Sequence, residues 1–164
     1  MLYLLSSLIM TNFQKLSLLF LRLALGWLYF YAGITKLLDP KWTAAGYLKG
    51  AQTLTPLYQW LSSPQNINWV NFLNEWGLTL VGLSLIFGVF LRIGAVSGIL
   101  IMLLYYIPIL NFPYVGKGTT SFLVDQHFIF VLVLVMLASF DAGKYWGLKQ
   151  VLMKFFPEKF KSLT

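Results

Sequence analysis

From Leu16 to Leu38 the chain reads LSLLFLRLALGWLYFYAGITKLL, and its only charges there are Arg22 and Lys36. A helix needs about 20 apolar residues to cross the hydrocarbon core of a bilayer, so the run predicts a membrane span over 16–38. Arg22 and Lys36 lie fourteen positions apart, which nearly closes four turns at about 3.6 residues per turn. They therefore share one stripe with Gly26, Tyr29 and Gly33, and the two glycines allow a second helix to approach closely. An arginine facing lipid is unfavourable. Arg22 is thus expected either to turn into a helical bundle or to snorkel to one interface, with Lys36 reaching the other.

The rest of the chain has the same character. Hydrophobic residues make up 59% of the 164 and charged residues 10%, which points to an integral membrane protein forming one domain, 1–164. The net charge of +7 would suggest nucleic acid in a water-soluble domain. Here the basic residues sit at the ends of apolar runs, where they report topology instead. The absence of cysteine removes disulfides, thiolate catalysis and iron–sulfur ligation, and a single histidine removes two-histidine haem ligation. One histidine with scattered carboxylates also makes a poor metal site, so none is expected. A redox cofactor would then be a diffusible quinone or belong to a partner.

Met1 to Asn12 is apolar but lacks a basic n-region and a small-residue cleavage site. It reads as an interfacial segment, or as a stretch upstream of a start at Met10. Asp39-Pro40 closes the first span, because proline disfavours helical geometry in the residue before it. Residues 41–71 mix Trp42, Tyr47, Leu48, Leu57, Tyr58 and Trp60 with polar residues, Gly and Pro. They predict a loop with one or two short amphipathic helices at the interface, anchoring the chain or capping a cavity. A second span is expected over 72–91 and a third over 93–110, with Arg92 at the tip of the hairpin between them. Tyr105, Tyr106 and Pro108 mark the far interface, residues 111–121 form a loop, and a fourth span is expected over 122–140. Trp146, Leu148, Val151, Leu152 and Phe155 suggest a surface helix in the tail.

Four spans form an all-α membrane bundle with both termini on one side. That side carries Lys15, Arg92, Lys144, Lys149, Lys154, Lys159 and Lys161, against Lys36, Lys41, Lys49 and Lys117 on the other. The excess of positive charge assigns the termini to the cytoplasm. Lys36, Glu75, Asp125 and His127 then fall near the outer face, from three helices and at similar depth, as the core of a bundle allows. Glu75 is positioned to pair with Lys36, and Asp125 to orient His127. Such a set in low dielectric suits proton exchange with a redox carrier. Taken singly, Glu75 and Asp125 also suit first helical turns, where carboxylates complement the helix dipole.

The segments LRLALGWLYFYAGITKLLDP, WTAAGYLKGA, EWGLTLVGLSLIFGVFLRIGAVSGILIMLLYYIP and VDQHFIFVLVLVMLA, with the GKYWGL tail, resemble the DoxX/DoxD-like family. The resemblance runs roughly from Leu16 to Leu148 and is greatest to DoxD, the subunit grouped with thiosulfate:quinone oxidoreductase. The family's polar pattern falls on Arg22, Lys36, Glu75, Arg92 and His127. Members often carry an acidic residue before the histidine; this chain has Gln126, which leaves Asp125 as the nearby carboxylate. The resemblance implies a four-helix membrane protein that passes electrons from thiosulfate to a membrane quinone, giving tetrathionate. In that scheme Glu75 and His127 handle protons, while Arg22, Lys36, Tyr29 and Asp125 hold substrate or quinone. It implies a second oxidoreductase subunit and leaves a homo-oligomer open. The rivals are a binding or transport protein for a small anion or lipid, and a non-catalytic assembly subunit.

Overall fold

The first helix begins at a capping box. Thr11 Oγ1 accepts from the Gln14 backbone N–H at 3.2 Å, and Gln14 Oε1 accepts from the Thr11 N–H at 2.8 Å. Two of the unpaired donors at the helix start are thereby satisfied, and helix α1 runs Asn12–Leu37. This computed structural model describes residues 10–111 and 122–148 of the chain. Among the described residues every regular element is helical. The expected loop 111–121, nearly all of the tail helix and most of the Met1–Asn12 segment fall outside them.

The stripe predicted on α1 is its buried face: Arg22, Gly26, Tyr29 and Gly33 are buried and Lys36 is half-buried. Against it lies α4, Ile67–Phe87, antiparallel and in close approach. Gly33 meets Thr79, and Gly82 meets the backbone of Phe30. A side chain at either glycine would hold the two helices apart. Helix α4 ends at Gly88, whose φ of +66° is the left-handed conformation that closes helices, with its N–H donated to Ser84 O at 2.9 Å. The turn is Gly88-Val89-Phe90, and α5 follows over Leu91–Ile109. The hairpin tip therefore sits at the glycine, and Arg92 is the exposed second residue of α5. The αL requirement outweighs charge in placing this turn.

Between α1 and α4 the expected short helices are present as α2, Ala45–Lys49, and α3, Thr55–Leu61. They bury Ala44, Leu48, Ala51 and Tyr58 in a small core of their own. Helix α4 starts at Ile67, five residues before the expected 72, because Ile67 and Val70 pack against this small core. Pro108 fixes where the cap docks. It has no N–H to give the carbonyl of Leu104, four residues back, and the buried Tyr58 hydroxyl donates there instead, at 3.1 Å. Gln52 N–H donates to Pro108 O at 2.8 Å, and the hydroxyls of Thr53 and Tyr47 donate to Leu110 O and Tyr105 O. The cap thus bonds four carbonyls at the end of α5, among them that of Pro108, which a helix end leaves open. Burial pushes the Tyr58 phenol above its usual range, which keeps it a donor.

Helix α6 spans Gln126–Ser139 and packs along α5. It is shorter than the expected 122–140, because Asp125 caps its start and Asp141 turns left-handed just past its end (φ 45°). Fourteen residues reach about 21 Å. Helices α1, α4 and α5 are long and apolar enough to cross a membrane, whereas α6 is apolar but below that length. It nonetheless returns the chain to its starting end, where the Tyr145 hydroxyl lies 3.5 Å from Met10 Sδ. The bundle core is Leu25, Tyr29, Leu78, Leu85, Leu134 and Leu137 with their neighbours. Its outer face carries exposed Phe20, Trp27, Leu80, Val96, Leu100 and Leu132. So much apolar surface is untenable in water and suits lipid: this is a membrane protein.

Candidate functional site

Four elements meet at one end of the bundle, and Tyr105 of α5 is their hub. Lys36, in the last turn of α1, donates to Asn74 Oδ1 of α4 at 3.1 Å and to the Tyr105 hydroxyl at 3.0 Å. The Asn74 amide nitrogen lies 2.7 Å from the same hydroxyl. The ammonium also sits 5.0 Å from the centre of the Trp42 ring and 5.3 Å from that of Tyr105, a cation–π arrangement on two sides. No carboxylate pairs with Lys36 among the described residues. The cluster also takes in His127, whose ring stacks on Tyr105 with centroids 5.7 Å apart and 18° between planes.

His127 is held by Asp125. Nδ1 lies 2.5 Å from Asp125 Oδ2, and Oδ1 accepts the Phe128 backbone N–H at 3.0 Å. Asp125 therefore caps α6 and orients the histidine together. Its two oxygens thus accept one bond each. An ionised carboxylate only accepts, so Nδ1 carries the proton and Nε2 is left to exchange one. The two side chains are 18% and 13% exposed, a partly dry setting in which that orientation persists.

The remaining site residues predicted from sequence lie elsewhere. Glu75 is eight residues into α4, so it is not a first-turn cap. Its carboxylate makes no hydrogen bond or ion pair among the described residues, while its backbone carbonyl accepts from Thr79 at 2.8 Å. Lys36 takes the neighbouring Asn74 in its place, since one residue along a helix turns the side chain by about 100°. Tyr29 is fully buried in mid-bundle and donates to Gly98 O at 3.3 Å, tying α1 to α5. Arg22 sits fourteen residues before Lys36, roughly 21 Å along the axis at the opposite end. There it donates to the carbonyls of Ala142 at 2.9 Å, Tyr145 at 3.3 Å and Trp146 at 3.5 Å. The two basic groups of the first span do not share a site.

Asn74, Tyr105 and Trp42 are members that sequence reasoning passed over. Tyr105 reads as one more interfacial aromatic, and only its level opposite Lys36 and His127 distinguishes it. Asn74 and Tyr105 also line a cavity of about 350 Å³ under α2 and α3. Among the described residues no three His, Cys, Asp or Glu side chains gather to hold a metal ion.

Fold and site together define an all-helical membrane protein with a histidine–tyrosine–lysine cluster at one end of its bundle. The chain belongs to the DoxX family, whose model matches residues 17–109, from the first span through the last residue of α5. Lys36, Asn74, Glu75 and Tyr105 fall within the match, and Asp125 and His127 lie beyond it. No curated protein and no solved structure matches the chain.

Proposed function

We propose that this protein is the membrane subunit of a quinone-linked oxidoreductase, with its quinone site at the Lys36 end of the bundle. One observation carries the reading: a carboxylate-oriented histidine and a lysine ammonium both contact one tyrosine. A quinone oxygen that gains charge on reduction is favoured by the ammonium and the donors beside it. His127 Nε2 then moves a proton, and Glu75, one residue from Asn74 with no described partner, is the second proton carrier. The charge bias of the loops assigns this end to the outer face and both termini to the cytoplasm, with α6 and its flanks completing a fourth pass.

The likeness to DoxD-type subunits supports thiosulfate as the electron source. Two thiosulfate anions join through a new sulfur–sulfur bond to give tetrathionate, releasing two electrons. The quinone takes up those two electrons and two protons. The same likeness implies a second subunit, which takes the electrons from thiosulfate. A second reading, small-anion binding or transport without redox chemistry, is favoured because no carboxylate pairs with Lys36 among the described residues. A non-catalytic assembly role would need none of the cluster's side chains for turnover.

The test is thiosulfate-dependent reduction of a short-chain quinone in membranes holding the protein and its co-purifying partner. His127→Ala, at equal folded protein, is expected to lower turnover roughly 10²-fold, the scale of lost general acid–base catalysis. Turnover indifferent to both His127→Ala and Glu75→Gln would remove the proton-handling role. Anion flux in proteoliposomes that needs Lys36 and ignores quinone would favour the second reading.

A further inference from the structure

The cavity under the short helices has a shape and a chemistry that the polar cluster alone does not account for. Its walls are apolar, with Leu57, Leu61, Trp69, Val70, Leu73 and Leu104 among them. Four of these, Leu57, Trp69, Leu73 and Leu104, are also exposed on the outside of the bundle. The cavity therefore opens sideways, and in a membrane what lies outside those residues is lipid, not water. At about 350 Å³ it falls at the lower end of ligand pockets, which run from about 300 to 1,000 Å³. Apolar cavities of this kind stay dry and take apolar guests. Its polar members include Asn74 and Tyr105, the residues that contact Lys36.

We infer that this cavity is a lateral port that takes the apolar chain of a membrane-dissolved quinone and delivers its head to Asn74 and Tyr105. The inference rests on the quinone reading above and adds the route and the chain-binding surface. The head is specified by what borders it. The Asn74 amide keeps a second N–H for a carbonyl oxygen, and the Tyr105 hydroxyl, which donates to Asn74 Oδ1 at 2.9 Å, can turn its proton to the ligand instead. The ammonium of Lys36, which pairs with no carboxylate among the described residues, disfavours a cationic head and favours an electron-rich one. Flat rings set the shape of the space: Tyr47 meets Tyr105 edge-on with centroids 5.3 Å apart, and His127 stacks on it. A planar carbonyl head can lie against the Tyr47 and Tyr105 rings, both of which line the cavity. The chain half is specified by the leucines and Val70, which offer it no polar partner.

The geometry also explains why the cap is pinned so firmly. Tyr47 and Tyr58 reach from the cap to carbonyls of α5, at Tyr105 and Leu104. Those bonds hold the cavity roof at a fixed distance from Asn74 and Tyr105, so chain and head sites stay in register.

The experiment measures binding by quenching of tryptophan fluorescence in the full-length protein in nanodiscs. The probes are a decyl-chain benzoquinone and the same head without the chain. Val70→Phe narrows the cavity from within, and Leu73→Trp closes it from the lipid side should the first variant fold poorly. Either is expected to erase most of the affinity advantage of the chain, about tenfold, while the chain-free head binds as before. Tyr105→Phe is expected to weaken both probes. If both cavity variants leave the chain's advantage intact while Tyr105→Phe weakens binding, the port is overturned and the head site stands. If the parent protein binds neither probe, the port and the quinone reading fall together. Displacement of the quinone by an equal concentration of decanoate would overturn the planar head.

Discussion

Arg22→Met should lower the thermal midpoint of the purified protein by an amount corresponding to roughly 2–4 kcal/mol, the cost of one buried and two part-buried carbonyls left without a donor. The guanidinium is 1% exposed and clasps the loop after α6 through Ala142, Tyr145 and Trp146. That loop is strained: Asp141 and Trp146 have φ of 45° and 51° without being glycine. Such residues persist only where surrounding contacts hold them. Arg22 makes those contacts, and it adds positive charge beyond the C-terminus of α6, where the helix dipole favours it. Space for it is made by Gly88, where any side chain would meet the guanidinium carbon at 3.1 Å. Methionine fills much of the volume but donates nothing, while lysine is a point charge and cannot span carbonyls on separate residues. Arg22→Lys should therefore restore only part of the loss. An unchanged midpoint in Arg22→Met would mean that the loop holds itself.

Gly82→Val should remove folded, monodisperse protein altogether. A Cβ at this position would lie 2.7 Å from the Cβ of Phe30 and closer still to its backbone. At Gly33 the obstacle is again backbone, Thr79 Cα at 2.9 Å. Overpacking that side chains can absorb costs about 1–3 kcal/mol. Here the obstructing atoms are main chain within α1, so the whole α1–α4 contact must open. Close approach of this kind is what holds membrane helices together in the absence of a hydrophobic drive between them. Gly46→Ala is the matched control, since nothing lies within 4 Å of a Cβ there. Size-exclusion profiles in mild detergent distinguish the two, and a normal Gly82→Val profile would contradict the close packing.

The parts of this fold legible in the sequence are those set by one helix's own periodicity. The buried stripe of α1 follows from spacing alone, so Arg22, Gly26, Tyr29 and Gly33 are found facing inward. The start of α4 at Ile67 is not legible, because Ile67 and Val70 pack on a small core that only the folded cap creates. Glu75, which suits a first turn if the helix begins at 72, lies deeper for the same reason. Arg92 drew attention as the charge in a long apolar run, yet the turn belongs to Gly88 and its positive φ. For the site, Lys36, Asp125 and His127 were brought together by counting spans and matching depth. Tyr105 and Asn74 complete the cluster through rotation about two helix axes, which sequence spacing does not supply. The partnership of Tyr58 with the carbonyl freed by Pro108 is likewise visible only once the cap is folded.

On the proposed reading the two basic groups of α1 do different work: Arg22 locks the fold and Lys36 serves the ligand. The direct measurement is titration of a decyl-chain benzoquinone into Lys36→Met and Arg22→Met, each reconstituted at matched folded protein. Losing a charged hydrogen bond, ~1.5–3 kcal/mol, should weaken binding to Lys36→Met by roughly tenfold or more. Arg22→Met, though less stable, should bind like the parent. Equal affinity in Lys36→Met and the parent, with the loss confined to Arg22→Met, would place the ligand at the wrong end of the bundle and contradict the account.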